Sequence, residues 1–520
     1  MPRSKASSNK GESRDSLGGK GRDPALARVK NSWLLDLDHS QYDLLTVLTY
    51  LSSVSTANLS REQIFDSAAS LGYGPSPYFA QAANLVQSLG YDYSHACHVV
   101  SRSTKDEVMR QFLLRFGNSM ASGELEVAFL AREMQVLMED YTNEYERGVE
   151  SLRKWTDAFV ALMVSCNLIV LVSLISNMIY NLGAPFIVMV EGVAIVAAAL
   201  GAYLIYRISP YDPMVHKMAY KSEEQQRMTR MARTLFPLAL LASIAAYFGL
   251  GSIGLALIVG GVIILPVGLF TQKLESKIDA RDRDIGDFLR ALGGVTGARG
   301  STVIESLGHI DRRAIGSLEP ELKRLMTRIS AGLSTTLSFN RFMADTGSEL
   351  VHRVVRAFWD GNNWGGEPEK IGRFSADMAL RVWLLRAKRK LVASTFNYVV
   401  IPMHIALIGT LVFISEVVTA FNEKLLDAQS VANAQNAATI KPEDIGIPGA
   451  LAFQSFNTDF VKAMVLVVIL ALTAINAFAP RAASGGHAYK TALFGAMTMV
   501  ASGVLLLVIP PMAQGMFSDT

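Results

Sequence analysis

Seven long apolar stretches constrain this chain more than any other feature of its sequence. Each stretch is long enough to cross the roughly 30 Å of bilayer hydrocarbon at about 1.5 Å per helical residue. They cover residues 158–180, 184–206, 234–250, 252–270, 395–418, 460–479 and 491–510. Because 50% of the residues are also hydrophobic, we predict an all-α, polytopic membrane protein with about seven transmembrane helices.

Two polar, helix-patterned regions between these stretches follow one plan. Placing Leu48 on Leu289 brings further apolar and small residues into register. The matched pairs are Leu51 with Leu292, Val54 with Val295, Ala57 with Ala298 and Ser60 with Ser301. About 75 residues later in each region, a Gly-Glu pair at Gly123 or Gly366 precedes a long helix that enters the membrane. We predict two repeated cytosolic helical-bundle modules, at residues 31–157 and 271–394.

The segments outside these two modules complete the predicted organisation. Residues 1–30 are basic and poor in apolar residues, which predicts a disordered tail. Residues 158–270 hold four transmembrane helices in two hairpins, and residues 395–418 hold one more. An external segment follows at residues 419–459, and residues 460–520 hold two transmembrane helices and a short C-terminal tail.

The basic residues orient these spans. Nearly all of the 49 Lys and Arg residues fall on one predicted side of the membrane, and cytoplasmic loops keep positive charge. The compact loop after the second span carries most weight. Its basic residues are Arg207, Lys217, Lys221, Arg227, Arg230 and Arg233. We therefore expect a multi-pass protein of the cell membrane with cytoplasmic modules and an external C-terminus at Thr520.

No motif for catalysis or cofactor binding is found in the sequence. The glycine-rich residues 18–21 lack the upstream glycine and the hydroxyl of a nucleotide-binding loop. His95, Cys97 and His98 lie close together, but no second ligand cluster follows at the spacing of a zinc site. We expect no catalytic residue, no cofactor, no metal and no nucleic-acid partner.

Two ionisable residues lie inside predicted spans. Charged side chains are costly in lipid and are therefore candidates for function. Glu191 and His404 are the interior candidates. They leave open a secondary transporter with cytosolic regulatory modules, although structural roles are favoured because two such residues are few for a proton-coupled path.

The duplicated module, with its Gly-Glu turn, long amphipathic helix and membrane entry, resembles the type II secretion system protein F domain family. The four-span middle and the length are similar to the archaeal branch, the platform proteins of archaella and archaeal type IV pili. The resemblance implies a non-enzymatic platform on which a hexameric secretion ATPase docks. It also implies that pilin-like or archaellin subunits leave the bilayer at its membrane core for the base of the filament. We further expect a homo-oligomer, namely a dimer.

Basic residues of the second module are the candidate contacts for that ATPase, since basic surfaces steer acidic partners. They are Arg281, Arg283, Arg290, Arg299, Arg381, Arg386, Lys388, Arg389 and Lys390. The cluster at residues 386–390 has a second interpretation, because basic residues beside a span also anchor to lipid headgroups.

Overall fold

Helices make up the fold over residues 40–180, 182–310, 315–435 and 458–518, which the computed structural model describes. The first eight are α1 (Ser40–Ser55), α2 (Arg61–Ala69), α3 (Ser76–Leu89), α4 (Tyr93–Ser103), α5 (Glu107–Ser122), α6 (Glu126–Tyr180), α7 (Ala184–Ile208) and α8 (Glu223–Leu250). The others are α9 (Ile253–Arg299), α10 (Val303–Leu307), α11 (Glu319–Ser330), α12 (Thr335–Thr346), α13 (Glu349–Asn363), α14 (Pro368–Gln435), α15 (Thr458–Ser484) and α16 (Thr491–Ser518). Two 3₁₀ turns lie at Gly316–Leu318 and Ala488–Lys490. The all-α prediction is confirmed.

Local sequence signals set the ends of the shorter helices. Ser60 begins α2 with a capping box, in which its hydroxyl accepts from Gln63 N–H and the Gln63 side chain binds back. Asp106 caps α5 by accepting from two backbone N–H groups. Gly90 and Gly123 end α3 and α5 in the left-handed conformation, which costs glycine little.

Seven of the described helices are long and apolar enough to span a membrane, namely α6, α7, α8, α9, α14, α15 and α16. Each contains one of the apolar stretches predicted from the sequence, so the prediction of about seven spans is confirmed. In the membrane, α15 packs on α7, α14 and α16, and α9 packs on α16. Helix α8 packs on α9 and lies at the edge, because only 11% of its apolar window is buried within the chain.

The remaining helices and the polar parts of α6, α9 and α14 form one bundle with a continuous hydrophobic core, which we call the soluble bundle. That core takes residues from Tyr42 to Val149 and from Ile285 to Leu385. Helix α1 packs on α6, but also on α13 and α14 from the second region. The helix order is similar in both regions, with short helices before one long helix. The repeat itself stays a prediction, and the two regions share one core.

Glycines allow α9 and α14 to cross closely inside this bundle. A Cβ atom on Gly372 would lie 2.8 Å from the Leu289 carbonyl oxygen and 3.1 Å from the Gly293 Cα. A side chain at either glycine would therefore push the two helices apart. This contact brings together the two helices that later continue into the membrane.

Two predicted segments fall largely outside the described residues. The predicted disordered tail at residues 1–30 lies entirely outside them, as do residues 436–457 of the predicted external segment. Residues 419–435 belong to α14, which continues to Gln435. The helix therefore continues beyond the apolar stretch, and the boundary of the span at residue 418 stays a prediction.

Candidate functional site at the base of the bundle

Three helices run without a break from the soluble bundle into the membrane. Helices α6, α9 and α14 contain 55, 47 and 68 residues, or roughly 80, 70 and 100 Å at 1.5 Å per residue. Where they leave the bundle, two loops, residues 209–222 and 485–490, pack against them. We call this region, with residues 271–283 of α9 and 381–394 of α14, the stem junction.

Arg386 of α14 lies at the centre of the stem junction. Its guanidinium donates to Asp212 of the 209–222 loop at 2.7 and 2.9 Å and to the Asp282 carboxylate of α9 at 2.5 Å. Asp282 also accepts from the hydroxyl of Ser348, the N-cap residue of α13. One buried cation thus joins α14, α9, the loop and, through Ser348, the bundle.

Burial makes this cluster sensitive to charge. The side chains of Arg386 and Asp282 are only 7% and 1% exposed. Burial raises the pKa of Asp282, and the neighbouring Arg386 opposes that rise. The Asp282 carboxylate therefore depends on this guanidinium to stay ionised, and removing Arg386 would leave two buried carboxylates without their counter-charge.

Arg389, one helical turn further along α14, ties the stem junction to α15. Its guanidinium donates to the carbonyl oxygens of Ala483 and Pro210 at 3.0 and 2.8 Å, and it also contacts the Ser209 hydroxyl. Ala483 lies in the last turn of α15, where carbonyl groups lack helical partners and carry partial negative charge. Arg389 therefore caps the C-terminus of a span helix.

Arg281 of α9 makes a third buried connection. It donates to Glu321 of α11 at 2.8 Å and to the Thr346 carbonyl oxygen at 2.7 Å, and it lies 3.3 Å from Glu224 of α8. Burial raises the pKa of Glu321, and the attraction of Arg281 opposes this. This cation thus joins α9 to the second region of the bundle and to the start of α8.

The 209–222 loop is hydrogen-bonded to the turn between α12 and α13. Glu349 N–H donates to the Met214 carbonyl oxygen at 3.1 Å, and Gln225 at the start of α8 donates to the Gly347 carbonyl oxygen at 3.2 Å. His216 accepts from Met218 N–H through Nδ1 and donates through Nε2 to the Ala344 carbonyl oxygen. These bonds require neutral His216, and burial lowers its pKa.

Three of the nine predicted ATPase contacts are therefore not surface residues. The side chains of Arg281 and Arg386 are each 7% exposed, and Arg389 is also buried. Each of the three guanidinium groups binds groups of the chain itself, which indicates an internal structural role. Their part in ATPase docking stays a prediction.

The other six candidates are exposed and stay a prediction. Four make surface ion pairs: Arg283 with Asp284, Arg290 with Asp377, Lys388 with Glu146, and Lys390 with Asp279. Exposed pairs of this kind contribute little to stability. Arg299 and Arg381 have no ion-pair partner within the described ranges, which leaves both charges open to a partner.

The two intramembrane candidates lie in different environments. His404 is fully buried; its Nδ1 accepts from Asn476 at 3.0 Å, and its Nε2 lies 2.9 Å from the Ser502 hydroxyl. It thus links α14, α15 and α16. Glu191 of α7 is also fully buried, and neither carboxylate oxygen has a hydrogen-bond partner among the residues described. Glu191 is not among the hydrogen-bond partners of His404.

Sequence reasoning missed the acidic partners of the stem junction. Asp212 is 174 residues from Arg386, and Asp282 is 104 residues from it. No spacing rule relates positions so far apart. The stem junction is built from ion pairs and carbonyl contacts. Among the described residues no cluster of His, Cys, Asp or Glu could hold a metal ion.

The fold and the stem junction define a class: a multi-pass, all-helical membrane protein whose spans continue into one soluble bundle. The chain is similar to the flagella accessory protein J of Methanococcus voltae, with 27% identity over 307 residues. It is also similar to the flagella accessory protein J of Methanocaldococcus jannaschii, with 22% identity over 426 residues. These relatives confirm the resemblance to the archaellum branch that the sequence predicts.

The two similarities differ in their extent. The first covers 56% of this chain and 54% of the relative, so the chain spans about half of that protein's length. The second covers 79% of this chain and 73% of the relative. No family description matches the chain, and no solved structure does.

Proposed function

We propose that this chain is a membrane platform protein of an archaellum or an archaeal type IV pilus, a machine of the type II secretion kind. In this function it couples a cytosolic secretion ATPase to the assembly of pilin-like subunits into a surface filament. The names of both relatives support this proposal, and so does the arrangement of seven candidate spans.

The observation that carries the proposal is the continuity of α6, α9 and α14. A helix is stiff along its axis, so a displacement of the bundle moves the attached span segments. The stem junction fastens α14 to α9 through Arg386 and Asp282 at 2.5 Å, and to α15 through Arg389 and Ala483 at 3.0 Å. Force applied to the bundle would therefore reach several spans together.

Partners and orientation follow from the same proposal. The bundle faces the cytoplasm, where a hexameric secretion ATPase docks, and Thr520 lies outside. The platform is a homodimer without enzymatic activity that handles pilin-like or archaellin subunits in its membrane core and binds no nucleic acid. The exposed residues Arg283, Arg290, Arg299, Arg381, Lys388 and Lys390 are the ATPase contacts in this proposal.

The alternative, a secondary transporter with regulatory modules, has no support. Neither relative is named as a transporter. Both ring nitrogens of His404 are occupied by contacts to α15 and α16, which is typical of a residue that holds helices together. Glu191 is not part of that hydrogen-bond network.

A pull-down from gently solubilised membranes tests the proposal. Mass spectrometry of crosslinked material should recover a secretion ATPase and pilin-like subunits with the wild-type chain. The double variant Arg299→Glu and Arg381→Glu should lose most of the ATPase, because two unpaired surface cations become anions. The pilin-like subunits should still be recovered, since both substitutions lie in the soluble bundle.

A matched variant, Arg102→Glu and Lys323→Glu, controls for the same change of charge. Both positions are exposed on the bundle, on α4 and α11. Equal ATPase recovery from both variants would remove Arg299 and Arg381 from the contact surface. Absence of both the ATPase and the pilin-like subunits from crosslinked wild-type material would refute the platform function itself.

A further inference from the structure

A basic cavity opens in the stem junction, beside the ends of α7 and α15. Its volume is about 640 Å³, and it lies between the 209–222 loop, the first turns of α8 and the turn that follows α15. Five cationic side chains line it. Arg389 is already bound by groups of the chain, and the other four are Arg207, Lys217, Lys221 and Arg481. We use the name basic cavity for this space.

These four cations differ from the other basic residues of the stem junction. Arg386, Lys390 and Lys490 each pair with a carboxylate at 2.5 to 2.9 Å. No such pair involves Arg207, Lys217, Lys221 or Arg481 within the residues that the structure describes. Among the described lining residues one has a carboxylate, namely Asp212. That carboxylate already accepts three hydrogen bonds from Arg386. The cavity therefore keeps an excess of positive charge.

Arg481 has an unmet donor in this cavity. Its Nε atom is buried and has no hydrogen-bond partner among the described residues, although a buried donor without a partner costs free energy. Arg389, which also lines the cavity, in contrast donates to carbonyl and hydroxyl oxygens of the chain. The chain therefore leaves donor capacity of the Arg481 guanidinium unused.

The positive charges of the cavity act on two histidines in its lining, His216 and His487. Burial is the main cause that lowers the pKa of both His216 and His487. The positive charge of Lys221 lowers both pKa values further, and Arg481 also lowers that of His487. Glu275 acts on His487 in the opposite direction, but its carboxylate is bound to Lys490 at 2.9 Å. The negative groups near the cavity are thus already paired.

The position of the cavity in the fold agrees with a ligand at headgroup depth. Helix α7 ends at Ile208 and α15 ends at Ser484, so Arg207 and Arg481 lie at the ends of two apolar spans. Tyr206, an exposed aromatic residue that also lines the cavity, is of the type enriched at membrane interfaces. Guanidinium and ammonium groups are the donors that bind phosphate oxygens in proteins.

We propose that the basic cavity binds a phosphate group, carried by an anionic lipid headgroup or by a soluble phosphate. The bound group would accept hydrogen bonds from Arg481 and from the lysines of the rim, Lys217 and Lys221. Because Arg481 belongs to α15 and both lysines belong to the 209–222 loop, the ligand would hold these two parts of the stem junction together. This inference does not depend on the platform function.

Ligand-dependent stability of the full-length protein tests the proposal. Delipidated protein in neutral detergent is heated, and the surviving monodisperse fraction is measured by size-exclusion chromatography. The probes are phosphatidylglycerol in mixed micelles, phosphatidylcholine at the same mole fraction, and inorganic phosphate. Phosphatidylglycerol should raise the midpoint, since a ligand that binds the folded state stabilises it. Replacing Lys217 and Arg481 by Gln should raise the half-saturating concentration roughly tenfold or more.

The controls separate this site from general charge effects. The double variant Arg102→Gln/Lys323→Gln loses the same two positive charges at positions that do not line the cavity. It should respond to the probes as the wild type does. If Lys217→Gln/Arg481→Gln does not fold, Arg207→Gln/Lys221→Gln tests the rim with Arg481 intact. A response to inorganic phosphate and not to lipid would assign a soluble ligand. The proposal is overturned if neither probe stabilises the wild type, or if the cavity and control variants respond equally.

Discussion

Replacement of Arg386 by Met is the most direct test of the stem junction. The substitution keeps a long apolar stem but removes the guanidinium that binds Asp212 and Asp282. Both carboxylates then remain in place with no counter-charge. Breaking a buried pair by removing one partner costs roughly 3–5 kcal/mol, and a second stranded carboxylate places this case toward the upper end.

Lys388, two residues further along α14, provides a matched control. It pairs with Glu146 at 3.0 Å, but the two side chains are 52% and 44% exposed. Solvent screens such a pair, so Lys388→Met should cost less than about 1 kcal/mol. Both variants lose one positive charge from the same turn of the same helix, and they differ in burial.

The assay is the midpoint of thermal unfolding in detergent, followed by the monodisperse fraction that survives heating. Arg386→Met should unfold far below Lys388→Met. Adding Asp212→Asn and Asp282→Asn to Arg386→Met should recover much of the loss, because the stranded charges are then gone. Equal midpoints for the two single variants, or no recovery in the triple variant, would refute the role assigned to this cluster.

Two further predictions concern the loops of the stem junction. Because burial lowers the pKa of His216, the unfolded chain binds more protons than the folded chain below about pH 6.5. The stability of the wild type should therefore fall as the pH drops through that value. A His216→Gln variant should lose this pH-dependent fall in its unfolding midpoint when both proteins are unfolded by heat between pH 7.5 and 5. Parallel curves of midpoint against pH would contradict the assignment. Gly485 has φ +68°, and a Cβ there would lie 2.9 Å from the Arg389 guanidinium. Gly485→Ala should lower the unfolding midpoint by more than Gly90→Ala, since Gly90 has φ +70° with open space around it and its replacement carries only the backbone cost of roughly 1–2 kcal/mol. Equal losses would show that Arg389 has room to move.

The membrane helices could be predicted from the sequence because the signal for a span is local. Residues 158–180 are apolar enough to identify a span by themselves, and they lie within α6. The extent of that helix was harder to predict, since it begins at Glu126 and its polar part depends on packing with the bundle. Hydropathy thus identifies where a chain crosses the bilayer and says little about where the helix ends.

The basic cluster at residues 386–390 illustrates the limit of reasoning from charge. Arg386 and Arg389 are three residues apart and share a face with the buried residues Val382 and Leu385. Lys388 and Lys390 lie on other faces and are exposed. Helical periodicity therefore indicates that two of these cations, Arg386 and Arg389, face inward. No local pattern indicates their partners, which are carboxylates for Arg386 and mainly backbone carbonyl oxygens for Arg389, because the tertiary fold brings those groups together.

The shared core of the two soluble regions depends on contacts that no local pattern reports. Arg353 of α13 donates to Asp43 of α1 at 2.7 Å, across 310 residues of chain. The same guanidinium lies over the rings of Tyr42 and Tyr73 at 4.3 and 4.4 Å. A match between two sequence segments predicts similar units, but it does not predict that the units pack against each other.

That shared core bears on how the chain is made. Helix α1 buries its apolar face against α13 and α14, which leave the ribosome only after four of the candidate spans, in α6 to α9, have been synthesised. The core cannot close until those spans have entered the bilayer and the second region has returned to the side of the first. We therefore expect the newly made first region to expose Leu44, Leu45 and their neighbours throughout insertion, and to need protection from aggregation until residue 385 has emerged.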